Sequence, residues 1–152
     1  MNEIERIASR SNLSKRWESL PKRIMIVHKE TELEMLSEKI NELVLWINEH
    51  WKQRSSVLDM VGIYTELLKD RLDLNLQNTV HFFPIEKEIP QNFDLIITLG
   101  GDGTVLLAAW LFQGNAPPII PFHFGTLGFL TVFNWESFSS KLYTILSSGS
   151  RI

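Results

Sequence analysis
The apolar positions of this chain follow two different rhythms. Leu36, Ile40, Leu43, Val44, Ile47 and Trp51 stand at steps of 4, 3, 1, 3 and 4. Such steps put one apolar stripe on a helix, here running to about Trp51. Trp135, Phe138, Leu142 and Ile145 repeat the pattern and predict a last helix from about Trp135 to Leu146. Other apolar runs are short, rich in β-branched residues and without helical period: Ile24 to Val27, Leu58 to Tyr64, Thr79 to Phe83, Leu95 to Leu99 and Ile119 to Phe124. These read as five strands, largely buried. Val105 to Phe112 is apolar on nearly all sides and reads as a helix stopped by Gly114. Thr65 to Leu72 suits a short helix. Thr31 and Glu34 have capping-box spacing, which predicts Thr31 as the N-cap of the first long helix. Pro121 must sit where the ladder needs no N–H. Residues 1 to 20, polar and of mixed charge, read as an N-terminal arm ended by Pro21, and residues 21 to 152 as one α/β domain.

Strands alternating with helices favour a three-layer fold, a parallel sheet with helices on both faces. Ligands of such sheets bind beyond the carboxyl ends of the strands. Two glycine-rich turns, at 100–104 and 125–131, each follow a strand. Both are therefore expected on that one edge, where they would form a single cleft.

Composition narrows the chemistry. A chain of 152 residues, 44% hydrophobic and 22% charged, fits one soluble domain with a real core. Fifteen basic against eighteen acidic side chains leave a net charge of -3, which argues against a nucleic-acid partner. The chain has no cysteine, so disulfides, thiolate metal sites and a cysteine nucleophile are excluded. No apolar run approaches the roughly 18 to 20 residues of a membrane span. Glu3 and Glu5 among Arg6, Arg10, Lys15 and Arg16 make a poor targeting sequence. A cytosolic location is the expectation, with the mitochondrion as the alternative.

In the first turn, Gly100, Gly101 and Gly103 would let backbone N–H groups approach a ligand closely. A strand, glycine turn and helix in succession aim amide dipoles at a phosphate. The P-loop pattern is absent, and Leu106 stands where a third dinucleotide-fingerprint glycine belongs. What remains is a carboxylate, Asp102, between glycines. It could accept a hydrogen bond from an attacking hydroxyl or help hold a metal near phosphates. An unperturbed Asp has a pKa near 3.9, so orienting a hydroxyl suits it better than full deprotonation. The competing readings are structural. Asp102 could simply cap the next helix, and Gly125 and Gly128 could serve a chain reversal with Phe129 and Leu130 in the core. The four histidines share no ligand spacing, and no protein-held metal is expected from them. His123 alone lies near a turn. Lys22, Arg23 and Lys29 read as solvated residues flanking a strand, and no other lysine stands beside either turn.

Leu-Gly-Gly-Asp-Gly-Thr at 99–104, followed by Phe-Gly-Thr-Leu-Gly-Phe-Leu-Thr at 124–131, resembles the NAD kinase family, and most closely its eukaryotic, fungal-like members. Lys22 to Lys29 resemble that family's first strand, and Pro117 to Phe122 the strand before its second motif. The first turn is shared with diacylglycerol and sphingosine kinases and loosely with 6-phosphofructokinases; the second is more particular to NAD kinases. The resemblance implies that Asp102 is the catalytic aspartate, acting on the adenosine 2′-hydroxyl of NAD(H) as it attacks the γ-phosphate of ATP to give NADP(H). It implies that Gly100, Gly101, Gly103 and Thr104 contact the dinucleotide and phosphates. It further implies that Phe129 lines the NAD pocket, on a loop shaped by Gly125, Leu127 and Gly128. ATP with Mg²⁺ or a similar divalent cation, and a homo-oligomer at full length, belong to the same implication. In the family a β-rich second domain follows and carries an Asn-Glu pair. Asn41-Glu42 falls in the amphipathic helix and does not match it. The chain thus looks like the N-terminal half of an NAD kinase, weak or inactive alone. A diacylglycerol-type lipid kinase and a non-catalytic nucleotide-binding fragment are the alternatives.

Overall fold
The structure is a computed structural model that describes residues 21–52, 58–85, 87–113, 115–125, 128–131 and 133–149, without the side chains of 146–149. The expected arm at 1–20, the stop at Gly114 and the loop residue Leu127 lie outside the described residues. Six strands form one sheet: β1 (Arg23–His28), β2 (Met60–Ile63), β3 (His81–Phe82), β4 (Leu95–Leu99), β5 (Ile119–His123) and β6 (Phe133–Asn134). Every pairing is parallel and the order is β3-β2-β1-β4-β5-β6.

That order decides where the helices lie. From β1 the chain moves one way along the sheet, and from β4 it moves the other way. Right-handed crossovers then put their helices on opposite faces. The helix α1 (Leu33–Trp46), continued by a π-helical turn Ile47–Trp51, follows β1. Its stripe of Leu36, Ile40, Leu43, Val44, Ile47 and Trp51 is fully buried against Ile24, Ile26, Leu95, Ile97 and Leu99. Trp135 and Leu142, at the start and middle of the last helical segment, join the same core. The helix α3 (Asp102–Leu111), after β4, lies on the other face. There Ala108 and Leu111 pack with Met25, Val27 and Ile96. The expected three layers are present, and β1 and β4 flank the point where the strand order reverses.

Pro121 sits as expected. Ile96 N–H donates to the Pro118 carbonyl and Gly100 N–H to that of Phe122, so even-numbered β5 residues face β4. The nitrogen of Pro121 faces the other side, where β6 pairs only from Phe122 onward.

Three expectations need correction. Thr31 does not cap α1. The helix starts after Glu32, which takes a left-handed conformation at φ 57° and makes no side-chain capping bond; its carboxylate instead meets Lys29 Nζ at 3.4 Å. The segment Thr65 to Leu72 is not one helix. The Thr65 hydroxyl accepts the Leu67 N–H at 2.9 Å, a local bond that competes with helix start. Only a 3₁₀ turn, Lys69–Arg71, and a short α2, Leu74–Gln77, follow. Finally, there is a sixth strand. Two residues of β6 are too few to show a period, and Asn134 ends them by accepting the Glu136 N–H to open the 3₁₀ turn Trp135–Ser137, which leads into α4 (Phe138–Gly149).

Candidate functional site
The carboxyl ends of β1, β4 and β5 meet above the reversal point, and both glycine turns are there. Lys29 N–H donates to the Leu99 carbonyl at 3.0 Å, and Gly100 N–H to that of Phe122 at 3.1 Å, so the sheet is continuous up to the turn. Gly100 must be glycine. Its φ is +155°, and a Cβ there would collide with Thr104 Oγ1 and stand 3.2 Å from Lys29 Cβ. Thr104 is buried, and its N–H closes the turn by donating to the Gly101 carbonyl at 3.0 Å. Its hydroxyl stands against Gly100, inside the turn.

Asp102 is the first residue of α3, yet its side chain does not cap that helix. It reaches across to the second turn. Its Oδ2 accepts the Phe129 N–H at 3.0 Å, and its Oδ1 accepts the Leu130 N–H at 2.9 Å and the Thr131 hydroxyl at 3.3 Å. Thr131, almost fully buried, also accepts the Gly128 N–H at 3.3 Å. Gly128 is required by this closeness: a Cβ there would run into the Asp102 carboxylate and lie 2.8 Å from Thr131 Oγ1. The two turns, more than twenty residues apart in sequence, are therefore joined through one carboxylate. Asp102 ionises below its ordinary range. The Leu130 N–H is the main cause; partial desolvation opposes it, and the Phe129 N–H and Thr131 add to the lowering. A carboxylate offers about four lone-pair positions. Two backbone N–H groups and a hydroxyl already occupy most of these, and the group remains half-exposed.

The remaining expected residues divide cleanly. Gly101, Gly103 and Gly125 have no atom within 4 Å of where a Cβ would be. Phe129 points outward, 90% exposed, so it is not the core residue that a mere chain reversal would make it. His123 is buried, with Nδ1 2.9 Å from the Gly125 carbonyl; it holds the start of the second turn and so carries the proton on Nδ1. His28, at the end of β1, is 3% exposed and its Nε2 has no partner among the described residues. Burial is the main reason that its pKa falls below the ordinary 6.5, with the Lys29 carbonyl and Glu30 opposing. Arg23 is not solvated: its guanidinium pairs with Asp59 at 2.9 Å and lies over Phe93, at the far end of β1 from the site.

Two residues escaped the sequence reading. Thr131 was legible only as part of a motif. Lys29 read as solvated, but it stands beside the first turn, with its ammonium 3.4 Å from Glu32 and 5.9 Å from the centroid of Phe124. A signal did exist: no lysine or arginine occurs between Lys87 and Lys141, so a cation at the turns has to come from a neighbouring strand. A groove of about 1080 Å³, lined by Glu30, Tyr64, Ile85, Leu107 and Trp110, opens beside the end of β1, and no residue of either turn lines it. Its size does not make it the site, since the convergent polar groups are at the turns. Among the described residues no cluster of three His, Asp or Glu could hold a metal ion, and no helix is long and apolar enough to cross a membrane.

The strand order defines a doubly wound parallel α/β domain, and the candidate site lies on its carboxyl edge, at the reversal point between β1 and β4. Comparison with known proteins makes this more specific. The family model described as the ATP-NAD kinase N-terminal domain matches residues 24–150, and the chain belongs to that family. A rice (Oryza sativa subsp. japonica) protein named "Probable NAD kinase 1" is 35% identical over 142 residues, 92% of this chain and 26% of that protein. The fission-yeast (Schizosaccharomyces pombe) mitochondrial NADH kinase pos5 is 33% identical over 146 residues, 95% of this chain and 35% of its own length. A crystal structure of yeast NADH kinase complexed with NADH matches the fold with a TM-score of 0.61 and 24% identity, over 85% of this chain and 38% of that one. The chain thus spans about a quarter to a third of these curated relatives.

Proposed function
We propose that this chain supplies the phosphoryl-transfer half of an ATP-dependent NAD(H) kinase, with Asp102 directed at the adenosine 2′-hydroxyl. The observation that carries the reading is the joining of the two turns through the half-exposed carboxylate of Asp102. Because its pKa is lowered, Asp102 is a poor base and a good acceptor. It would fix the hydroxyl in line with the γ-phosphate, and positioning is most of what phosphoryl transfer asks of a protein. The lowering also fixes a pH signature. Asp102 stays ionised above its ordinary 3.8, so no activity limb near neutral pH comes from it.

The glycines support the same reading. Gly101 has extended backbone at φ -101° and ψ -166°, and neither it nor Gly103 is crowded. The fold itself does not demand glycine at either position; a ligand lying against the backbone would. Phe129, exposed and apolar on the second turn, offers a surface for the dinucleotide. Mg²⁺ enters with ATP as its phosphate complex; both Asp102 oxygens already accept hydrogen bonds, and no step is assigned to the ion. The family and the sequence resemblance favour NAD(H) over a lipid as acceptor. Residues 21–152 act as the nucleotide-binding domain in this reading, in a cytoplasmic protein that forms homo-oligomers at full length.

The test is NADP formation from NAD and MgATP, with the chain alone and with it joined to the C-terminal remainder of the fission-yeast relative. The joined protein is expected to turn over and the chain alone to do so poorly. Asp102→Ala should lower the rate by about 10²-fold or more. An unchanged rate in that variant would remove Asp102 from the reaction.

A further inference from the structure
The site as described has negative charge and no evident compensation. Asp102 is ionised, Glu30 and Glu32 stand at the rim of the neighbouring strand end, and the stretch from Glu88 to Ser140 contains no lysine or arginine. A nucleoside triphosphate brings several more negative charges to the same edge. Amide dipoles and an accompanying cation offset part of that charge, and a fixed cation beside the turn would offset more.

One residue is placed to do this. Lys29 leaves β1 directly beside Gly100, where Cβ atoms would be 3.2 Å apart. Its ammonium is 5.9 Å from the ring of Phe124, which follows β5. The strands run in the order β1-β4-β5, so Lys29 from the end of β1 and Phe124 from the end of β5 approach each other beside the end of β4. Lys29 thus stands next to the Gly100–Gly101 turn. The present partner is weakly held: Glu32 Oε2 is 3.4 Å away and its side chain is 62% exposed. Exposed pairs of that kind contribute little and exchange readily.

Building on the phosphate-donor reading above, we propose that Lys29 is a phosphate-binding cation of this site, its ammonium exchanging Glu32 for a terminal phosphate oxygen of the bound triphosphate. Lys29 is a point charge on a flexible stem, suited to following a phosphate that moves during transfer. Glu32 then acts as the resting counter-ion that keeps the ammonium beside the turn while the site is empty.

Calorimetric binding of inorganic tripolyphosphate and of MgATP tests this on the chain itself. Lys29→Met should weaken both at least about tenfold with the melting temperature unchanged, and Lys29→Arg should restore most of the affinity. Glu32→Gln leaves Lys29 in place and removes its competitor, so it should bind tripolyphosphate severalfold more tightly. Equal affinities for the parent and Lys29→Met would overturn the role of Lys29 and leave the donor reading standing. A parent that binds neither tripolyphosphate nor MgATP would overturn both. Weaker binding by Glu32→Gln would show that the glutamate, not the lysine, faces the ligand, and would also overturn the proposal.

Discussion

Gly101 and Gly128 have opposite surroundings, and substitution separates them. A methyl group at Gly128 would enter the space of the Asp102 carboxylate. Breaking charge-assisted hydrogen bonds there costs about 1.5–3 kcal/mol, so Gly128→Ala should lower stability in chemical denaturation and free the second turn. A methyl group at Gly101 meets nothing, and its extended backbone suits alanine. Gly101→Ala should hold stability or raise it by about 0.4–1 kcal/mol, while weakening nucleotide binding. The reverse pattern would mean that Gly101 serves the fold and not a ligand. At this scale the sequence was half legible. Glycines around a lone aspartate pointed to a candidate site, but the partners of Asp102 lie 27 to 29 residues further on, and no spacing rule reports which N–H groups a carboxylate will find. Lys29 was hidden for the same reason: only strand order puts it beside the turn.

At the scale of elements, the two long helices and five of the six strands followed from period and composition, because burial against a sheet imposes one stripe on a helix and continuous apolarity on a strand. The elements that were misjudged are those in which a local polar bond decides. Thr65 draws in an N–H and delays a helix, and Glu32 turns left-handed before α1. The end of β1 carries a consequence of its own. His28 is buried without a partner for Nε2 among the described residues, and burial lowers its pKa below 6.5. Below that pH the unfolded chain takes a proton that the folded one resists. Stability is therefore full above pH 6.5 and declines as pH falls towards the lowered folded value. His28→Leu should flatten this slope in urea titrations between about pH 6.5 and 5; an unaltered slope would assign the titration to another group.

For the molecule as a whole, the reversal of strand order between β1 and β4 unites the argument. It brings three strand ends together, sends α1 and α3 to opposite faces and leaves the carboxyl edge open between them. Phe129, Trp110 and Leu106 are 90%, 74% and 61% exposed, so apolar surface is available on that edge and along α3. The chain covers only 26% to 35% of the curated relatives cited above. The most direct test is an amide chemical-shift titration of the chain with NAD and MgATP. Gly101, Gly103, Phe129 and Leu130 should shift together, at one midpoint for each ligand. Shifts gathered instead around Tyr64 and Trp110, or changes in one turn without the other, would contradict a shared site.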